Sequence, residues 1–171
     1  TFFSELGARV IKIENKLSNG DITRAWRLPT ESKTTPISAY YSAANYGKES
    51  LMLDLTHAND YNEVIHHVKD ADIVITNFKS STARKLKLTY ADLKQYNPKL
   101  IYAEVTGFGG VDSRPAFDVV LQAETGFMYM NGEPNRNPVK MPVALIDVLA
   151  AHHLKEAILV ALIHQLKTGE G

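Results

Sequence analysis

The chain contains no cysteine. Disulfides, thiolate metal sites and cysteine nucleophiles are therefore excluded, and the composition fits a reducing cytosol. It also lacks an excess of either charge: 19 Lys and Arg balance 19 Asp and Glu, for a formal net charge of zero. Such a balance gives no electrostatic case for a nucleic-acid or anionic-membrane partner, although a local basic pocket does not require one. Long apolar runs are missing too. The longest lies near Leu159 to Ile163, far short of a membrane span. No signal peptide is visible. Metal-ligand spacing is also wanting. The adjacent pairs His66-His67 and His152-His153 would point about 100° apart on a helix, and no HExxH motif occurs. The glycines of "GFGG", from Gly107 to Gly110, form neither GxGxxG opening a helix nor a Walker loop. A strand exit is the simpler reading.

What remains is an ordinary globular composition. Of 171 residues, 44% are apolar and 22% charged, which argues for a folded chain and against disorder. That length suits one domain of ordinary size. The first residues, "TFFSELGARVIKIE", have no initiator methionine and begin inside a helical pattern, while "KTGEG" follows another helix. The expectation is a piece of a longer protein.

Along the chain, strand and helix signals alternate. Thr1 to Leu6 reads as the last turns of a helix with Gly7 behind it, and "RVIKIE" as a strand. Asn15 to Pro36 reads as a long polar surface loop. Ser50 to Leu55 suggests a strand, Asn59 to Val68 a helix and "ADIVITNF" a buried strand. Thr89 to Tyr96 is a short helix capped by Thr89, and "KLIYAEVTGFG" a strand entering a turn. Phe117 to Met130 has a helical pattern. Asp147 to Lys167 is the longest helix, with Leu154, Ile158, Ala161, Leu162 and Leu166 on one face. Alternation of this kind predicts βαβ units and a parallel sheet flanked by helices. Ligands in such sheets bind beyond the carboxyl ends of the strands, which directs attention to Glu14-Asn15, Asn77-Phe78 and Thr106-Gly107.

Three constellations have chemistry to offer, each with a plain alternative. Asp21 and Arg24 in "NGDITR" read as a local ion pair on a surface turn. Arg84, Lys85 and Lys87 are either a solvated helix face or a phosphate clamp. Asp147 follows the apolar "MPVALI" and opens the long helix. It suits an N-cap and equally a nucleophile, because a helix start favours an anion and apolar neighbours exclude water. Residue types alone leave these two roles open.

The succession "LGARVIKIE", "GDITR", "NYGKESLMLDL", "ADIVITNF", "LTYADLKQYNPKLIYAEVTGFG", "FDVVLQAETGFMYMNGEP" and "PVALIDVLAAHHLKEAILVALIHQLKTGEG" resembles the CaiB/BaiF family across the whole chain. That family contains the class III CoA-transferases and the α-methylacyl-CoA racemases. The resemblance implies a Rossmann-like large domain, here residues 1–171 and incomplete, from a longer protein that forms an interlocked homodimer. The small C-terminal domain and the glycine-rich loop over the catalytic aspartate would lie outside this chain. It further implies a cytoplasmic enzyme that takes an acyl-CoA and a small carboxylic acid, with coenzyme A as part of the substrate and no metal.

Residue by residue, the family's catalytic aspartate matches Asp147. The Asn-Phe pair near the CoA adenine and ribose matches Asn77 and Phe78. Lys85 stands where an arginine meets CoA phosphates, and Leu53 matches a leucine beside the adenine. Departures are Ser80-Ser81 in place of Pro-Gly, Lys87 in place of glycine, Asn15 in place of a basic residue, and a "GFG" turn without the following "TGP". The implied mechanism is attack of the aspartate on the thioester to give a mixed anhydride and CoA thiolate, followed by exchange onto an incoming acid. Two alternatives are a racemase and a non-catalytic CoA-binding paralogue. The racemase subgroup carries a histidine before an acidic residue, where this chain has Phe117 before Asp118, and phenylalanine cannot move a proton.

Overall fold

The computed structural model describes residues 1–110 and 114–171. The chain divides into two units, Thr1–Val64 and Ile65–Gly171. Each contains one parallel pair of strands, so the architecture is mixed α/β with parallel strands flanked by helices.

The first unit opens with helix α1 (Phe2–Glu5), which closes at Leu6 ahead of Gly7. Strand β1 (Val10–Asn15) pairs with β2 (Lys48–Leu53) in parallel, with Lys12 opposite Ser50 and Glu14 opposite Met52. Strand β2 begins two residues before the expected Ser50 and ends before Asp54. The polar stretch after β1 is more ordered than a plain loop. It holds two 3₁₀ turns, Lys16–Ser18 and Ile22–Ala25, and leads to helix α2 (Ala39–Ala44). Asn15 and Asp21 cap the two turns, because their side chains accept from Leu17 N and Thr23 N. Ser38 caps α2 through Tyr41 N at 2.9 Å, and its own hydroxyl donates to Thr23 O at 2.7 Å.

Helix α3 (Ala58–Asp70) carries the boundary between the units. Beyond it, β3 (Ile73–Thr76) pairs in parallel with β4 (Ile101–Glu104), Ile73 opposite Ile101. Between them lie α4 (Ser80–Lys85) and α5 (Tyr90–Lys94). Helix α5 has a reciprocal capping box: Thr89 Oγ1 accepts from Asp92 N, and Asp92 accepts from Thr89 N.

The expected helix from Phe117 to Met130 is broken into α6 (Asp118–Glu124) and α7 (Phe127–Met130). Gly126, with φ 84°, makes the break, a conformation glycine adopts at no steric cost. Helix α8 (Leu145–Thr168) begins two residues earlier than the expected Asp147 and stops at Gly169. It packs on α6 and β4. Its core contact is Ile158, 2% exposed, with Leu154, Ala161 and Leu162 half-buried beside it. Leu166 departs from that face and is 83% exposed. Leu93, Leu100, Ile101, Ala103, Ala83, Leu88, Ile65 and Val68 complete the apolar core of this unit. Full burial of one such aliphatic side chain stabilises by about 1.5–3 kcal/mol.

Candidate functional site

The strand ends named by the sequence have different fates. Glu14, near the carboxyl end of β1, is only 4% exposed. Its carboxylate accepts from both arms of the Arg24 fork at 2.8 Å, from Ser50 Oγ at 2.6 Å, from Asp21 N at 2.7 Å and from the Tyr41 hydroxyl. Burial alone would push this carboxyl up, but the Arg24 fork, Ser50, Tyr41 and the Asp21 amide hold it well below the usual carboxylate range. The anticipated Asp21–Arg24 pair is thus corrected. The Arg24 fork closes on Glu14, while Asp21 pairs with Lys12. Arg24 and Lys12 also lie over the Tyr41 ring. Glycine is required next to this hub. A Cβ on Gly20, at φ 88°, would lie 2.6 Å from Glu14 Oε2. Glu14 is therefore a structural carboxylate, saturated by internal donors.

The second unit leaves its polar groups outward. Asn77 and Phe78 follow the last residue of β3, and Thr76 Oγ1 turns the chain there by accepting from Phe78 N at 3.2 Å. Asn77 is exposed and Phe78 half-buried. Lys85 is the last residue of α4, exposed, and makes no hydrogen bond or ion pair among the described residues. Two linked backbone bonds close this helix, Lys87 N to Arg84 O at 3.1 Å and Leu88 N to Ala83 O at 2.9 Å. This is the Schellman arrangement, which requires a left-handed residue at Lys87, and its φ is 55°. The glycine expected there on resemblance has its physical reason in that angle. Across the Gly107 turn the backbone runs close to Ala116, where a Cβ on Gly107 would lie 1.8 Å from Ala116 Cβ. Leu53, the last residue of β2, belongs to the first unit and is half-buried.

Asp147 is neither the cap nor the opening residue of α8. The cap position is Ala144, which has no capping side chain, and Asp147 is the third residue of the helix. Asp118, the first residue of α6, does the capping. Its Oδ1 accepts from Ile146 N at 2.8 Å and faces Asp147 N at 3.4 Å. Gln122, one turn further along α6 and 0% exposed, donates to Asp118 Oδ2 at 2.5 Å and to Val143 O at 3.1 Å, while its Oε1 accepts from Met141 N at 2.9 Å. Sequence reading missed this bracket, although Asp118 and Gln122 stand four apart on one helical face and Ala144 is a poor cap. The Asp147 carboxylate is exposed and accepts no hydrogen bond among the described residues. Partial desolvation first, then the like charge of Asp118, push it above the ordinary aspartate value.

Among the described residues no group of three or more His, Asp or Glu could hold a metal ion, and no helix is long and apolar enough to cross a membrane.

The model of CoA-transferase family III matches residues 1–171. This chain belongs to that family. It is 40% identical to a succinate–glutarate CoA-transferase of Agrobacterium fabrum, over 98% of this chain and 43% of that protein. It is 34% identical to an acetyl-CoA:oxalate CoA-transferase of Acetobacter aceti, over 100% of this chain and 44% of that protein. Among solved structures, a CaiB/BaiF family protein from Brucella suis superposes with a TM-score of 0.88 at 38% identity, covering 97% of this chain and 44% of that one. The family III chain thus spans less than half the length of these relatives.

Proposed function

We propose that the protein carrying this family III segment is an acyl-CoA:carboxylate CoA-transferase in which Asp147 takes up the acyl group. The observation that carries the proposal is the division of labour at the start of α8. Capping is done by Asp118, so the Asp147 carboxylate is left exposed and without an internal partner. A carboxyl above its ordinary value is also a stronger nucleophile once ionised than an unperturbed aspartate.

In the reaction, an Asp147 carboxylate oxygen attacks the thioester carbonyl carbon. The carbon–sulfur bond breaks, CoA leaves as thiolate and a mixed anhydride remains. The thiolate then attacks the aspartyl carbonyl, releasing the first acid and leaving an aspartyl-CoA thioester. The incoming carboxylate attacks that thioester, and the freed thiolate attacks the new acyl group to regenerate Asp147. Each step exchanges one activated bond, anhydride or thioester, for another, so no ATP is consumed. In the second unit, Asn77 and Phe78 are the proposed contacts for the nucleoside part of CoA, with Lys85 as a point charge for its phosphates; Leu53, in the first unit, is proposed as an adenine contact on the family resemblance alone. The relatives act on succinate, glutarate and oxalate by name, and this protein is read as using short acyl-CoA donors and small carboxylic acids. As a whole it is read as a cytoplasmic, interlocked homodimer in which residues 1–171 form most of the large domain and a smaller domain lies outside this chain. Racemase chemistry is not favoured, because exposed Phe117 stands at the start of α6 where a histidine would be needed.

The experiment is turnover of the full-length protein with succinyl-CoA and glutarate, extended to a panel of donors and acids, comparing the wild type with Asp147→Asn. The variant keeps its fold and loses at least about a thousandfold in rate, as loss of a nucleophile does. Substantial turnover by Asp147→Asn would remove Asp147 from the reaction.

A further inference from the structure

The bracket on α8 does more than hold a helix. A helix start presents backbone N–H groups and a positive dipole end, which normally favour a nearby carboxylate and make it a weaker base. Here those groups are claimed by a different residue. Asp118 Oδ1 sits 2.8 Å from Ile146 N and 3.4 Å from Asp147 N. Behind it, Gln122 is fully buried with its amide N–H and carbonyl both engaged, tying Asp118 to the Met141–Val143 segment that leads into α8. Asp118 is therefore fixed from α6 by one partner and from α8 by another.

We propose that Asp118 is a positioning residue for Asp147: it fixes the first turn of α8, and its retained negative charge favours the acylated, uncharged form of Asp147. The proposal rests on Asp147 being the residue that is acylated. The physical chemistry is direct. Two carboxylates share one helix start, so the ionised Asp147 carries a repulsion that its neutral anhydride does not. Acylation removes one negative charge from the pair and passes it to the CoA thiolate that departs from the acyl carbon. Like charge therefore raises the ground state of the nucleophile more than the covalent intermediate. The second contribution is geometric. A cap held by a buried amide keeps the first turn from fraying, and with it the approach angle of Asp147.

Among the described residues, the titratable groups of the elements that pack on α8 are Asp118 and Glu124 on α6 and Tyr102 and Glu104 on β4, and α8 itself carries His152, His153, Lys155, Glu156, His164 and Lys167 beyond Asp147. Glu124 is paired with Arg114 at 2.8 Å. Of these groups, Asp118 is the one that acts on Asp147, after desolvation.

The test uses the full-length protein and follows kcat, KM and the pH dependence of kcat, with thermal melting as the check on folding. Asp118→Asn keeps an oxygen for Ile146 N and loses the charge. It is expected to lower kcat about tenfold with little change in KM and to move the acid limb of the profile to lower pH. Asp118→Glu keeps the charge on a longer arm, so it should hold the acid limb near its wild-type position while lowering kcat. A folded Asp118→Asn with wild-type kcat and an unmoved acid limb overturns the proposal. So does an equal kcat loss in both variants with neither limb moved, which is the behaviour of a cap alone. If Asp118→Asn does not fold, Asp118→Ser supplies the neutral cap instead: an acid limb moved to lower pH with reduced kcat supports the proposal, and an unmoved limb overturns it. Failure here is separable from failure of the nucleophile assignment. An inactive Asp147→Asn beside a wild-type-like Asp118→Asn removes only the positioning role, whereas an active Asp147→Asn removes the assignment itself.

Discussion

The two units handle charge in opposite ways. In Thr1–Val64 the interior is built on a carboxylate: Glu14 is buried with Ser38 and Tyr41, and Arg24, Ser50 and the Asp21 amide converge on it. In Ile65–Gly171 the interior is aliphatic, apart from Gln122, and Asp147 and Lys85 face outward without internal partners among the described residues. Among the described residues, the carboxyls held below their ordinary values, Glu14, Asp21, Glu31 and Asp54, lie in the first unit, whereas Asp147 in the second is raised. A saturated carboxylate is committed to the fold. A raised, unpartnered one stores reactivity. The contrast directs the search for chemistry to the second unit even though the more elaborate network lies in the first.

The largest effect expected from this contrast is on stability. Arg24→Ala leaves Glu14 buried without its main partner and should cost about 3–5 kcal/mol, as other broken buried ion pairs do. Denaturant melts of the full-length protein measure it. A loss below about 1 kcal/mol would mean that the hub behaves like a surface pair and would erase the distinction between the units.

Acid sharpens the comparison. Because the Glu14 value is depressed in the fold, its contribution is complete above the unfolded value near 4.5 and is lost as pH falls through the folded one. Asp147 is raised, so the fold binds its proton more readily than the unfolded chain, and its contribution to stability grows as pH falls through the raised value. Amide exchange at decreasing pH, read below about pH 4.5 where Glu14 is losing its contribution and Asp147 loses none, should show the β1–β2 pair losing protection before the β3–β4 pair. The reverse order would contradict these assignments.

Lys85 tests whether the outward charges are available to a ligand. Lys85→Ala should weaken CoA binding about fivefold to tenfold at low salt, with a smaller loss at high salt, since exposed charge is screened. Affinity unchanged at low salt would take Lys85 out of the site. The smallest effect is expected at Lys87, a non-glycine residue at φ 55°. Lys87→Gly relieves that left-handed strain and should stabilise by about 0.5–1 kcal/mol, seen as a small rise in Tm. A fall in Tm would mean that the Lys87 side chain matters more than its backbone.

Local features of the fold were legible, and features made by distant residues were not. Strand β1, strand β3 and the Thr89 cap follow from alternation, a β-branched run and a capping residue that act within a few positions. The helix break at Gly126 was hidden because apolar spacing continues across it. The start of α8 was misplaced because its cap comes from Asp118, on another helix, and no nearby residue marks it. The partner of Arg24 was misread for the same reason. Asp21 is close in sequence, but Glu14 shares the face of β1 with Lys12 and is reached through the fold. At the candidate site, the matched positions could be named from the order of motifs. That Asp147 is free of capping duty could be learned only from the three-dimensional arrangement.

The central claim is that Asp147 accepts the acyl group, and trapping tests it most directly. Full-length protein is mixed with succinyl-CoA during turnover, quenched with hydroxylamine, digested and analysed by peptide mass. An aspartyl anhydride or thioester at Asp147 is converted to a hydroxamate. The account predicts that adduct on the peptide containing Asp147, dependent on acyl-CoA and absent from Asp147→Asn. An adduct on another carboxylate, or turnover with no adduct at Asp147, would contradict it.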